Sequence, residues 1–362
     1  MRSPREIIEE TDWDAREHAY AAASDTPGRL LHLLSEDPER CGDALAYLHS
    51  AVLHQGSVYS ATAPAAEFVA AILADPRTSV RCASALPWDS RSRPVRAALL
   101  EWLGAVADSA AWDGELDDDE LAAFAACRAI RTDVFAAVEP FLDDTDASVR
   151  QAAVGAVTPL LAAPELADRR GPTAGRLMRS VGLLDPAGRA AVALNLGSWG
   201  IPPMALLADE HPAVRGCAAM TPALDDSPAA LAEIQAALRD PRAADAWFGS
   251  GENRPAQLDG QVRFFLLQAL LRRTTTFDEV ADAAVAVARM TNAYTVDSDW
   301  GPLLARAFAG ARGGPFSPAQ RRFLAALVDN DECWGAIANP IIWLDAAGLP
   351  AEREQLRALV AV

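Results

Sequence analysis

The chain has 362 residues, 51% of them hydrophobic, and carries 50 acidic against 32 basic side chains, a formal net charge of −18. That much apolar content builds a large core, whereas the acidic surplus argues against nucleic acid or an anionic membrane surface, both of which are held by basic groups. All 32 basic residues are arginine, so Schiff-base, phosphate-loop and general-base lysine chemistry is excluded.

Ser3-Pro4-Arg5-Glu6 has the form of a helix start, with a serine N-cap, proline at the first position and glutamate closing a capping box. Helix is expected from there to about Ala23, with a break at Ser24–Gly28 and a second helix carrying Leu30, Leu31, Leu33 and Leu34. A third, Gly42 to Leu53, places Leu45, Leu48 and Val52 on one face. The polar stretch from His54 to Pro64 then interrupts the rhythm as a loop. Ala65 to Ala74 is helical again and feeds a turn at Asp75-Pro76, followed by Val80 and Arg81 on a new helix. After Pro94, residues Val95, Ala98, Leu99, Trp102, Leu103 and Val106 keep the spacing of one helical face. Between Ser109 and Ala122 lies an acidic insert. Asp113, Glu115 and Asp117 imitate the first ligands of a calcium loop, but Asp118 stands where the turn glycine belongs and Phe124 at the twelfth position. Asp117 with Glu120 three residues on reads instead as a capped helix start, and no metal is expected. Ser317-Pro318-Ala319-Gln320 is another capping box, and residues 249–261 are the longest polar, glycine-containing loop. Strand signals are weak throughout.

One unit recurs. Leu142-Asp-Asp-Thr-Asp-Ala-Ser-Val149-Arg150 pairs an acidic turn with a helix whose first turn carries Val-Arg and whose inner face is small. It returns at Leu207–Met220, with Pro212, Val214 and Arg215, and at Leu73–Leu86, with Val80 and Arg81. The pattern Asp-x-x-Pro-x-Val-Arg-x-x-Ala, seen best in Asp209–Ala218, resembles HEAT repeats. The stretch His54–Pro64, the tail Phe316–Val328, Asn330–Trp334 and Gly348-Leu-Pro350 are similar to segments of a group of bacterial HEAT-repeat proteins described mainly by their repeats. The resemblance implies an all-α, right-handed α-solenoid of helical hairpins across residues 1–362. Residues 1–34 and 316–362 would be its caps. In such repeats the arginine reaches an aspartate of the adjacent repeat, which makes Arg81, Arg150 and Arg215 structural ladder residues.

Loops on one edge of a solenoid and its inner helices are where such proteins bind. His54, Gln55, Ser57 and Tyr59 offer an imidazole, an amide and hydroxyls on one loop. Trp88 with Asp89, Trp199, Trp300 and Trp334 lie in loop-like contexts beside small or charged residues, which suits a peptide or a cationic ligand. Residues 101–150 hold thirteen acids against three arginines, and Asp113, Glu115, Asp117, Asp118, Asp119 and Glu120 form an acidic docking face for a basic partner. The five cysteines are spread without Cys-x-x-Cys spacing and read as core thiols. No nucleophile elbow, zinc-helix, dinucleotide or phosphate-loop motif is present. The charged N-terminus and the lack of a long apolar run point to the cytoplasm. The expected function is a non-catalytic, cofactor-free scaffold for a protein or peptide, including a basic, toxin-like one. The alternative is an enzyme or small-molecule binder using a concave cleft, its DNA-glycosylase form opposed by the acidic charge.

Overall fold

A computed structural model describes residues 2–83, 92–249, 254–255, 257–258, 260–309, 315–335 and 337–361. Among them are 19 α-helices, joined mainly by short 3-10 turns, and two antiparallel hairpins: Glu17–His18 with Ala21–Ala22, and Arg81–Ala83 with Ser92–Pro94. The all-α expectation holds. The chain divides into two compact units, Met1–Trp199 and Gly200–Val362.

Local chemistry starts the helices where the sequence places them. The capping boxes at Ser3/Glu6, Asp117/Glu120 and Ser317/Gln320 all form, each satisfying two backbone donors at a helix start. The first helix is shorter than its composition suggests. It ends at Glu10, not near Ala23, because buried Trp13 turns the chain back with its indole N–H on Ile8 O (3.3 Å) and a two-residue hairpin follows.

The core of the first unit rests on helices Val95–Ser109 and Ala147–Ala162. Val95, Leu99, Trp102, Leu103 and Val106 are all buried, as their spacing requires. Arg96 lies near Asp144 at one end, and Gly104 lies against the backbone of Ala156 further along. Like ends therefore meet, and the helices run parallel. Helix Pro186–Ser198 continues the arrangement: buried Asn195 donates to Val154 O (2.8 Å) and accepts from the Thr158 hydroxyl, while Trp199 donates to Thr158 O (3.3 Å).

The repeat turns are built by arginine, though not as a uniform ladder. Arg150 donates to Asp144 O (2.6 Å) and Thr145 O (2.9 Å), and Arg215 to Asp209 O (3.0 Å) and Glu210 O (3.1 Å). Each thus ties down the carbonyls of its own turn, a charge-assisted bond to groups that no helix satisfies. Of the three expected ladder arginines, Arg81 is the one that reaches the aspartate of another copy, Asp146, at 3.4 Å. The helix expected after Val80 does not form. Arg81–Ala83 is a strand paired with Ser92–Pro94, and Val95 N–H closes the hairpin on Val80 O (2.8 Å). The pair that performs the repeat's task there is Val95-Arg96: Arg96 donates to Leu73 O (2.7 Å) and Asp75 O (3.1 Å) across the inserted hairpin.

In the second unit, Arg273 ties the end of helix Val262–Arg273 to Ala219 O (2.7 Å) and Thr221 O (2.9 Å), and Arg306 ties helix Trp300–Ala307 to Leu271 O (2.8 Å). At its centre buried Arg263 is shared by Asp245 and the fully buried Asp299. The Asp299 carboxylate also accepts from the Thr291 and Thr295 hydroxyls and from Trp300 N–H. Burial pushes this carboxyl upward, and those hydrogen bonds and Arg263 pull it back. No described helix is long and apolar enough to cross a membrane.

Candidate functional site

Helices Ala281–Ala288 and Pro318–Asp329 run side by side in the second unit. Arg322 pairs with Asp282 (3.0 Å) at their starts. At their ends the Asn330 amide donates to Ala288 O (2.8 Å) and Thr291 O (2.9 Å), so the helices are parallel. Asp282, Val285, Ala286 and Arg289 follow i, i+3, i+4, i+7 on one, and Arg322, Ala325, Ala326 and Asp329 repeat that spacing on the other. These two faces line a cleft of about 820 Å³, together with Arg239 and the turn Asn330–Glu332. Small apolar side chains make its floor and charges its walls. Arg239, Arg289, Asp329 and Glu332 make no side-chain ion pair or hydrogen bond among the described residues.

A second cleft, of about 260 Å³, adjoins the first through the shared Asp331 and Glu332 and is lined further by Tyr294, Trp334 and Ile337. Its walls are fixed from below. The Asn330 side chain accepts from Glu332 N–H (3.1 Å), and the Trp334 indole donates to Leu327 O (2.9 Å), which leaves the ring faces free of hydrogen bonding. Opposite, Asn292 accepts from Tyr294 N–H (2.8 Å) and Thr295 N–H (3.2 Å), and buried Trp300 holds Asn292 O (3.0 Å). Tyr294 is left 82% exposed. Asp331 pairs with Arg353 at 2.6 Å.

The sequence-selected residues separate. Trp334 lies in this cleft. Trp300 and Trp199 do not belong to a loop surface: both are buried, with their indole N–H groups committed to backbone carbonyls. Apolar area of that size is sequestered whenever the helix packing gives the indole donor a partner. Trp88 and Asp89 lie outside the described residues. In the first unit, His54 is half-buried with Nδ1 donating to Ser50 O (2.8 Å), Gln55 and Ser57 are exposed, and Tyr59 is half-buried. Gln55 has φ 51°, a left-handed backbone that side chains other than glycine adopt at a cost. The ring of Tyr20 meets His54 edge-on at 5.6 Å. Close by in sequence, His18 Nε2 faces Asp25 (3.2 Å), which accepts from Tyr47 O–H (2.9 Å), while His18 Nδ1 accepts from Tyr20 N–H (3.2 Å). Both ring nitrogens are thereby engaged within the fold. Among the acidic insert residues, Asp117 and Glu120 cap the helix Asp118–Ala129, and Asp113, Asp118 and Asp119 are exposed. No group of three His, Cys, Asp or Glu side chains suited to a metal converges among the described residues.

No family model, no curated protein and no solved structure matches the chain.

Tyr294, Glu332, Arg289 and the Val285/Ala325 floor escaped the sequence reading. For Arg289 and the floor the signal was the identical charged–apolar–apolar–charged spacing of the two helices, which means a lined groove only once the helices are known to be parallel neighbours. The described lining residues of the larger cleft include no histidine, cysteine or serine. What it offers is ion pairing of both signs over an apolar floor.

Proposed function

We propose that the chain is a non-catalytic scaffold of HEAT-like helical hairpins, stacked as a right-handed α-solenoid, that binds a peptide segment of a protein partner in the groove of its second unit. Parallel neighbouring helices within each unit and arginines that tie down their own turns support the solenoid reading. The observation that carries the binding reading is the groove of about 820 Å³ with four charges that find no partner among the described residues. That volume lies in the range of about 300–1,000 Å³ usual for binding sites. An apolar floor between paired helices is how such surfaces seat an amphipathic or extended segment, and charges of both signs fix its direction and register.

The test is selection from a random-sequence phage-displayed peptide library on the wild-type protein, followed by affinity measurement on Ala325→Arg. That substitution fills the floor from a half-buried, groove-lining position. Selected peptides should lose at least about tenfold in affinity on the variant, a loss of about 1.4 kcal/mol. Peptides that bind both proteins equally, or a selection that enriches nothing, would sink the groove reading.

A further inference from the structure

We infer that the cleft at the end of the groove is a recognition pocket for one cationic side chain, arginine or lysine, of the bound segment; this deepens the groove reading and rests on it. Size is the first argument. At about 260 Å³ the cleft falls below the range of about 300–1,000 Å³ that holds a whole small ligand, so one side chain is the better match. Its walls are the second. Tyr294 and Trp334 present aromatic surface, and Asp331 and Glu332 present carboxylates, in one concavity. Ring faces are electron-rich and attract a cation placed over them.

The charge balance gives the sign of the occupant. Arg353 answers Asp331 at 2.6 Å, but among the described residues no basic group pairs with Glu332. Three residues beyond Tyr294, Asp297 accepts from neutral donors among the described residues, the Asn339 amide (2.6 Å) and the Trp343 indole (2.7 Å), rather than from a cation. The arginines of the larger cleft, Arg239, Arg289 and Arg322, do not line this one. A cation entering here meets surplus negative charge, whereas an anion meets none of the groove's free guanidinium groups. The site is also preorganised: Asn330, Asn292 and Trp300 hold both walls before anything binds, so little ordering is left for the ligand to impose. Tyr294 is the side chain with the least internal reason to be where it is. A phenol ring 82% exposed on a backbone turn held by two hydrogen bonds serves no core.

The experiment labels the nine tryptophans with 5-fluorotryptophan and assigns the Trp334 resonance through Trp334→Phe. N-acetyl-arginine amide and N-acetyl-lysine amide are titrated against the protein, with N-acetyl-citrulline amide as the uncharged isostere. The Trp334 signal is expected to move with both cations and to stay still with citrulline. Tyr294→Ala and Glu332→Gln, both at exposed positions, should each weaken the cation by about twofold to fivefold. A Trp334 signal that ignores all three probes, or follows citrulline equally, overturns the pocket. The two readings fail separately. Library peptides that are blocked by Ala325→Arg but carry no shared basic residue and ignore Tyr294→Ala would leave the groove standing without the pocket. A cation response at Trp334 with no enriched peptide would leave the pocket standing without the groove.

Discussion

Two glycine-to-alanine substitutions in the first unit should have opposite signs. Gly104 sits in helix Val95–Ser109, and a Cβ there would lie 2.9 Å from Ala156 Cα and 3.4 Å from Ala156 Cβ. Gly42 sits in helix Pro38–Tyr47, and a Cβ there meets nothing within 4 Å. Alanine relieves the backbone-entropy cost of glycine in a helix by roughly 0.5–1 kcal/mol at either site. At Gly104 the obstacle is backbone, which cannot swing aside, so the two helices must separate. Overpacking of that kind costs about 1–3 kcal/mol. Gly42→Ala should therefore stabilise by about 0.5–1 kcal/mol and Gly104→Ala destabilise by about 1–2 kcal/mol. Urea unfolding followed by circular dichroism reads the difference. With a slope of about 1–3 kcal/mol per molar, the two midpoints should part by about half a molar or more. Both sites lie in one compact unit, so the comparison is internal to it. A Gly104→Ala midpoint that rises alongside that of Gly42→Ala would refute the close parallel contact from which the core is built.

Arg263→Met removes the cation shared by Asp245 and buried Asp299 and leaves two carboxylates in one low-dielectric site; a loss of about 3–5 kcal/mol in thermal or urea unfolding is expected, and a loss below 1 kcal/mol would mean that the site is wet. Burial raises all five thiols, Cys127 and Cys333 to about 12, so the native protein should resist an aromatic disulfide reagent at pH 8 and release five thiols in denaturant. Rapid native labelling of any of them would contradict that burial. The Arg77 guanidinium holds the Asp75 carboxyl at about 2, below its ordinary 3.8. A depressed acid contributes stability that is present above the unfolded value and lost as pH falls toward the folded one. Asp75→Asn should accordingly be less stable than wild type at pH 6, with the gap closing between about pH 4 and pH 2; a gap that does not depend on pH would assign Asp75 to capping alone.

Much of the helical framework was legible because its signals are local. Capping boxes at Ser3, Asp117 and Ser317 need only four residues, and the Val95–Val106 face needs only its own spacing. What misled was a correct motif attached to the wrong copy. Val80-Arg81 follows an acidic turn as the repeat demands, yet the chain forms a hairpin, and Pro94-Val95-Arg96 restarts the helix. Proline at 94 was the available clue, since it ends a strand as readily as it precedes a helix. Trp199 and Trp300 turned out buried for a related reason. Loop-like neighbours around Trp199 and Trp300 describe backbone punctuation, whereas burial is decided by which helix lies opposite, and that is not written beside them.

Net charge misleads about the groove in a similar way. A chain at −18 suggests a basic partner wherever it binds, because the summed field steers cations at long range. That field is screened over about 8–10 Å at physiological salt, so it sets encounter rates more than it chooses contacts. Inside the groove three arginines line the larger cleft, and two of them, Arg239 and Arg289, have no partner among the described residues. A basic segment there would meet Arg239 and Arg289 as well as Asp282 and Asp329, whereas the Tyr294 end is lined by Asp331 and Glu332 with no arginine. The groove instead favours a segment whose own charges alternate, with carboxylates opposite the arginines and a cation reaching the terminal cleft. Discrimination then comes as much from the misplaced like charge as from the matched pair. On the proposed reading, the acidic surface would gather basic partners and the order of charges along the groove would select among them.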